Sequence, residues 1–83
     1  MVHDEIWSIS YDRVADYFGS QKSLAGSSPG EYLFNEGYVK IYRLPDRHIG
    51  SLTAFQTRIV ISDSGPEDDI YKSFYLRFIS AGG

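Results

Sequence analysis

Hydrophobic residues near the start of the chain recur at the spacing of a helix. Four of them are separated by four, three and four residues: Trp7, Tyr11, Val14 and Phe18. Ser10 is a candidate N-cap for this segment. We therefore predict a helix over at least residues 11–18. The preceding residues belong either to the same helix, starting at about Asp4, or to a short strand over residues 5–9.

The pattern changes after the helix. Residues 19–30 are rich in Gly and Ser, which predicts a flexible loop. Beyond this loop the hydrophobic period becomes two, as in strands. Gly37 separates two such runs, and we expect it to supply the positive φ of a short turn. The pattern predicts strands over residues 31–34, 38–44 and 53–62.

Residues 70–79 fit two secondary structures. As a helix, Ile70, Phe74 and Phe78 share one face, but Leu76 falls on the polar side. As a strand, all four residues share one face, and the high Tyr and Phe content suits a strand. We predict a strand over residues 70–79 and keep the helix as the alternative.

These elements predict an α+β fold made of a single small domain, residues 1–83. The N-terminal helix packs on one face of a mainly antiparallel sheet of about four strands: residues 31–34, 38–44, 53–62 and 70–79. One helix covers one face of such a sheet, so the other face is left for solvent or a partner. Side-chain alternation predicts the binding residues on that other face: Tyr38, Lys40, Tyr42, Arg58, Tyr71, Tyr75 and Arg77.

A face that interleaves tyrosines with basic residues is typical of binding surfaces. Tyr offers a large, stiff contact area with a polar tip, and Arg is enriched at binding hot spots. The same face has a simpler interpretation, since Tyr is common in strands and basic residues keep an exposed face soluble. Two classes of partner fit it. A protein would use the tyrosines as anchors, whereas a single-stranded nucleic acid would stack its bases on them.

Composition narrows the class of protein. The chain has 83 residues, of which 42% are hydrophobic and 16% aromatic, so it is too apolar to be disordered. The net charge of −3 makes it a small acidic protein and argues against a general preference for nucleic acid. We expect no membrane span and no signal peptide. The absence of cysteine favours a reducing compartment, so we expect a cytoplasmic protein.

No catalytic or metal-binding constellation stands out. The only two histidines, His3 and His48, lack the spacing of a metal motif, and His48 lies in a turn region. An acidic turn, Asp63 to Asp69, does not have the spacing of an EF-hand loop. We therefore expect no enzyme activity, no metal site and no cofactor.

The last two residues are Gly82-Gly83. A short β-rich chain that ends in Gly-Gly resembles the ubiquitin-like sulfur carriers. The resemblance covers only the last predicted strand and the tail. It implies a carrier or modifier whose terminal glycine is adenylated and then thiocarboxylated.

The function we favour from the sequence is noncatalytic binding to a protein partner, as an inhibitor, adaptor or assembly subunit. The open edges of such a small sheet also favour pairing into a homodimer. The alternatives are a ubiquitin-like carrier acting through Gly82-Gly83 and a single-stranded nucleic-acid binder.

Overall fold

The computed structural model describes residues 1–79. Two helices and seven strands follow one another in this order: β1 (Val2–Trp7), α1 (Tyr11–Gly19), β2 (Leu24–Ser28), β3 (Glu31–Phe34), β4 (Gly37–Arg43), β5 (Arg47–Ile49), β6 (Leu52–Ala54), β7 (Thr57–Asp63) and α2 (Asp69–Ile79). The predicted α+β class is confirmed, with the N-terminal helix packed on a mainly antiparallel sheet.

The N-terminal helix forms where the sequence predicts it. The Ser10 hydroxyl accepts a hydrogen bond from the Arg13 backbone N–H at 3.4 Å, which caps the first turn. Val14 and Phe18 form the buried face of the helix. The residues before it form strand β1, so the alternative of a single helix from about Asp4 is wrong.

The main sheet has five strands in the order β1-β7-β4-β3-β2, and every neighbouring pair is antiparallel. Both helices pack on one face of it, where the Phe18 and Phe74 rings stack with centroids 5.4 Å apart. Ten buried residues make up this core: Ile9, Val14, Phe18, Tyr32, Val39, Ile41, Ile59, Ile61, Phe74 and Phe78.

The predicted strand over residues 70–79 is wrong, because this segment is helix α2. Phe74 and Phe78 are buried one turn apart, whereas Leu76 is 63% exposed, on the polar side where the helical alternative puts it. The buried carboxylate of Asp63 accepts hydrogen bonds from the backbone N–H groups of Gly65 at 2.7 Å and Ile70 at 3.0 Å. The bond to Ile70 supplies an acceptor at the start of the helix, where backbone donors lack partners within the helix.

Two other segments differ from the prediction. The loop predicted at residues 19–30 contains strand β2, which pairs with β3 and adds a fifth strand to the sheet. The strand predicted at residues 53–62 is divided, because β7 begins at Thr57 and Leu52–Ala54 belongs to a separate hairpin with Arg47–Ile49.

Gly37 is required for a different reason from the one we expected. Its φ is not positive; the glycines with positive φ in residues 1–79 are Gly30 and Gly50. Instead, a Cβ atom on Gly37 would lie 1.9 Å from the Ser62 carbonyl oxygen on β7. Strands β4 and β7 therefore approach each other too closely at this point for any side chain.

Candidate functional site

One face of the five-stranded sheet is left uncovered by residues 1–79, and we call it the open face. Its members follow from the register of the strands, since side chains alternate between the two sides of a sheet. They are Val2, Asp4 and Ile6 on β1, Arg58, Val60 and Ser62 on β7, Tyr38, Lys40 and Tyr42 on β4, and Glu31 and Leu33 on β3.

Four of the seven predicted binding residues lie together on the open face. Tyr38, Lys40 and Tyr42 alternate along β4, and Arg58 lies directly opposite Tyr42 on β7. Strand alternation was sufficient to find them, because β4 and β7 have the predicted period of two.

The other three predicted residues do not join this site. Tyr71, Tyr75 and Arg77 lie on α2, on the other side of the sheet, because residues 70–79 form a helix. Tyr75 packs edge-on against the Trp7 indole, with ring centroids 5.9 Å apart, and the Arg77 guanidinium lies over the Phe78 ring. Their prediction as members of one binding face with Tyr38 and Tyr42 is therefore wrong.

The cations of the open face are paired with carboxylates on the same face. Arg58 donates two hydrogen bonds to Asp4, from Nε at 2.9 Å and from an Nη atom at 2.6 Å. This hydrogen-bonded pair lowers the pKa of Asp4 and raises that of Arg58, so both groups stay charged over a wide pH range. Lys40 Nζ lies 3.8 Å from a Glu31 carboxylate oxygen. The face consequently carries no excess of either charge.

The same two cations also lie against the tyrosine rings. The Arg58 guanidinium carbon is 5.3 Å from the centre of the Tyr42 ring, and Lys40 Nζ is 5.5 Å from that of Tyr38. These distances are in the range of cation–π contacts, which orient the rings. Both rings keep an exposed surface, and Tyr42 is 43% exposed. The aromatic groups are thus held in place while one side stays accessible.

Exposed aliphatic residues surround this centre. Val2 and Ile6 flank Asp4 on the edge strand β1. Leu33 lies opposite Tyr38, nearer to the other edge of the sheet. Between β2, β3 and β4 the face encloses a shallow cavity of about 490 Å³, lined by Ser27, Ser28, Glu31, Leu33, Tyr38, Val39 and Lys40. The open face is therefore an aromatic and aliphatic surface with internally compensated charges.

A second cluster, which the sequence did not indicate, joins the first strand to the last helix. The Tyr71 hydroxyl donates to both carboxylate oxygens of Glu5, at 2.9 and 3.1 Å, and Trp7 Nε1 donates to the same carboxylate at 2.9 Å. Burial, followed by the hydrogen bond to Glu5, raises the pKa of Tyr71 to about 12. The His3 ring stacks on Tyr71, with centroids 3.6 Å apart. We call these four residues the terminal clasp.

The clasp continues into the turn before α2. His3 Nε2 bonds to the carboxylate of Asp68, a residue with a positive φ of 55°. The chain's amino group donates to the Asp63 carbonyl, and Asp63 N–H donates to the Met1 carbonyl at 3.0 Å. Within residues 1–79 no group of three or more His, Cys, Asp or Glu side chains is placed to hold a metal ion. The contacts of His3 and Glu5 with Asp68 and Tyr71 fasten β1 to α2 and to the turn before it.

His48 lies exposed on the β5–β6 hairpin, where its Nδ1 is 3.2 Å from the Thr53 hydroxyl. Gly82-Gly83, the basis of the carrier resemblance, lies outside the described residues. Neither helix within residues 1–79 is long and apolar enough to cross a membrane.

No protein-family model matches the chain, and no curated protein matches it significantly.

Proposed function

We propose that this protein is a small noncatalytic binding module that holds a protein partner on its open face, as an inhibitor, adaptor or assembly subunit. The observation that carries the proposal is the position of the helices. Both pack on one side of the sheet, and Tyr38, Tyr42 and three exposed aliphatic residues are left on the other. Clustered aromatic and aliphatic groups on an exposed surface mark interaction sites more often than single ones do.

The charge pattern favours a protein over a single-stranded nucleic acid. Binding to a phosphate backbone needs cations that are free to replace counterions. On the open face, Arg58 and Lys40 each already have a carboxylate partner, and Asp4 and Glu31 would repel phosphates. The surface instead suits a partner with apolar side chains at the centre and little net charge, acting in the reducing cytoplasm that we expect for this cysteine-free chain.

The carrier alternative gains no support from residues 1–79. In the ubiquitin-like sulfur carriers a hairpin precedes the helix, whereas here the single strand β1 precedes α1 and pairs with β7. The resemblance therefore stays confined to Gly82-Gly83.

Site-specific photo-crosslinking in living cells tests the proposed function. A photoreactive phenylalanine derivative replaces Tyr42 in one variant and Tyr75 in the other, two tyrosines with nearly equal exposure of 43% and 40% on opposite sides of the sheet. We expect a discrete protein adduct from position 42 only. The captured protein is then purified, and Tyr42→Ala is expected to weaken its binding at least tenfold, as for an aromatic hot spot.

Three outcomes contradict the proposal: the same adducts from both positions, no adduct from position 42, or unchanged affinity in Tyr42→Ala. Tight binding of the wild-type protein to a labelled single-stranded oligonucleotide, with a steep loss of affinity as salt rises, would instead favour the nucleic-acid alternative.

A further inference from the structure

The β5–β6 hairpin is a preformed arm with one apolar face. Arg47 pairs with Ala54, His48 with Thr53 and Ile49 with Leu52, and Gly50 and Ser51 form the two-residue turn. Gly50 has a φ of 61°, as required at the first central position of a type II′ turn. By alternation, Arg47, Ile49, Leu52 and Ala54 share one face and His48 and Thr53 the other. We call residues 47–54 the arm.

The arm extends the β4–β7 pair beyond the body of the molecule. Between the pair Arg43–Thr57 and the pair Arg47–Ala54, residues 44–46 of one strand oppose residues 55–56 of the other. One strand therefore has one extra residue, as in a β-bulge. The molecule is elongated, with extents of 43, 25 and 20 Å, and a ribbon from Gly37 to Gly50 at about 3.3 Å per residue has a length close to the longest of these.

The apolar face of the arm has too little cover in a single copy. Ile49 is 56% and Leu52 is 70% exposed, and nearly every residue of the two strands is exposed. A two-stranded hairpin is marginally stable in water unless its hydrophobic face packs on something. The apolar face of the arm is therefore suited to burial against another surface.

A surface complementary to the arm lies at the opposite end of the ribbon formed by β4 and the arm. A cavity of about 310 Å³, which we call the end cleft, lies between α1, the β3–β4 turn and α2. Tyr17, Phe34 and Ile70 contribute apolar walls, and Glu36 and Asp69 contribute carboxylates. Arg47 lies two residues before Ile49 on the apolar face of the arm. An arm that places Ile49 and Leu52 in the end cleft therefore brings a cation to its acidic rim.

The arm cannot reach the end cleft of its own molecule. Glu36 precedes the first residue of β4, and the arm follows the last, so the two lie at opposite ends of the long ribbon. We infer that the arm inserts into the end cleft of a second copy of this chain. Two copies lying antiparallel along their long axes exchange arms in a closed pair. The same contact made head to tail gives a closed ring or an open series, according to the rotation between copies. This contact is separate from the open face.

Sedimentation velocity from about 1 to about 500 µM tests the inference, a range that covers the weak end of specific association. We expect reversible self-association. Loss of two buried aliphatic side chains in Ile49→Ser/Leu52→Ser is expected to weaken it at least ~30-fold. Because these side chains are exposed in the monomer, circular dichroism of the variant should be unchanged. The matched control is Leu33→Ser, an aliphatic residue on the open face that is 54% exposed, close to Ile49, and it should not alter self-association.

A charge exchange tests the arm–cleft contact itself. Arg47→Glu and Glu36→Arg, made singly, should each weaken self-association about 2–5-fold, and the double variant should recover much of the loss. A wild-type protein that stays monomeric throughout the range overturns the inference. So does self-association that survives the arm variants or is abolished by Leu33→Ser. None of these outcomes decides the proposed function, which is read from crosslinking at position 42.

Discussion

At the scale of single residues, the terminal clasp shows how hydrogen bonds to one carboxylate join two distant elements of the fold. Glu5 accepts a hydrogen bond from the Tyr71 hydroxyl, shared between its two carboxylate oxygens, and another from the Trp7 indole. When a partly buried carboxylate loses one of its hydrogen-bond donors, the free-energy cost of removing it from water remains. The clasp therefore makes its largest contribution when Tyr71 is protonated.

Replacement of the Tyr71 hydroxyl should reveal how much the terminal clasp contributes to stability. Tyr71→Phe is expected to lower the free energy of unfolding by about 1–2 kcal/mol near neutral pH, measured by urea denaturation. The folded-state pKa of about 12 lies above the ordinary value of 10.0, so the stabilisation is complete below pH 10.0 and is lost as pH rises towards 12. The difference between wild type and variant should therefore shrink in that window. Tyr42→Phe is the control, and an equal effect there would refute this account.

A second residue-scale prediction concerns Gly37. Gly37→Ala forces a Cβ atom against the Ser62 carbonyl oxygen, so we expect a loss of about 2–3 kcal/mol or more from backbone displacement. Gly50→Ala, at a positive φ but with open space around it, should cost only about 1 kcal/mol. Thermal unfolding compares the two variants. Equal costs would show that β4 and β7 can separate freely at this point.

At the scale of secondary structure, the sequence predicts strands better than it predicts the last helix. Val39, Ile41, Ile59 and Ile61 are buried at every second position, because a strand buried on one face repeats every two residues. Residues 70, 74 and 78 are four apart, a spacing that fits both a period of two and one of 3.6. Leu76 and Lys72 distinguish the two, because a strand places both on the apolar face and a helix places both on the polar side, where the structure exposes them. Tyr71, the distant partner of Glu5, lies too far along the chain for any local pattern to reveal.

Two substitutions in α2 test its assignment. Phe74→Ala should cost about 3–5 kcal/mol, because it leaves a cavity among the core rings. Leu76→Ala, at a largely exposed position, should cost less than about 1 kcal/mol. Chemical denaturation measures both. If the two substitutions cost the same, residues 70–79 bury Leu76 as a strand would.

At the scale of the whole molecule, charge compensation determines what the open face can bind. The chain is acidic overall, yet its uncovered face pairs each cation with a carboxylate. Removal of the carboxylates should therefore change the class of ligand without changing the fold, because exposed ion pairs contribute about 0–1 kcal/mol to stability.

Asp4→Asn/Glu31→Gln frees Arg58 and Lys40 beside the two tyrosines. We expect this variant to gain weak, salt-sensitive binding to a labelled single-stranded oligonucleotide, which stacks on the rings and contacts the free cations. Fluorescence anisotropy at two salt concentrations measures the gain, with the wild type as reference. A variant that binds no better than wild type would show that charge pairing is not what excludes phosphates.

The pairing of β1 with β7 has a consequence for the order of folding. Residues 2–7 pair with residues 57–62, about 50 to 60 positions further along the chain. The Tyr71 and Asp68 groups that fasten β1 lie further along still. Formation of this edge of the sheet therefore requires closure of a long loop, whose entropy cost the local β3–β4 hairpin does not carry. We expect β1 to join the sheet late in refolding, after the contacts between neighbouring strands of the chain have formed.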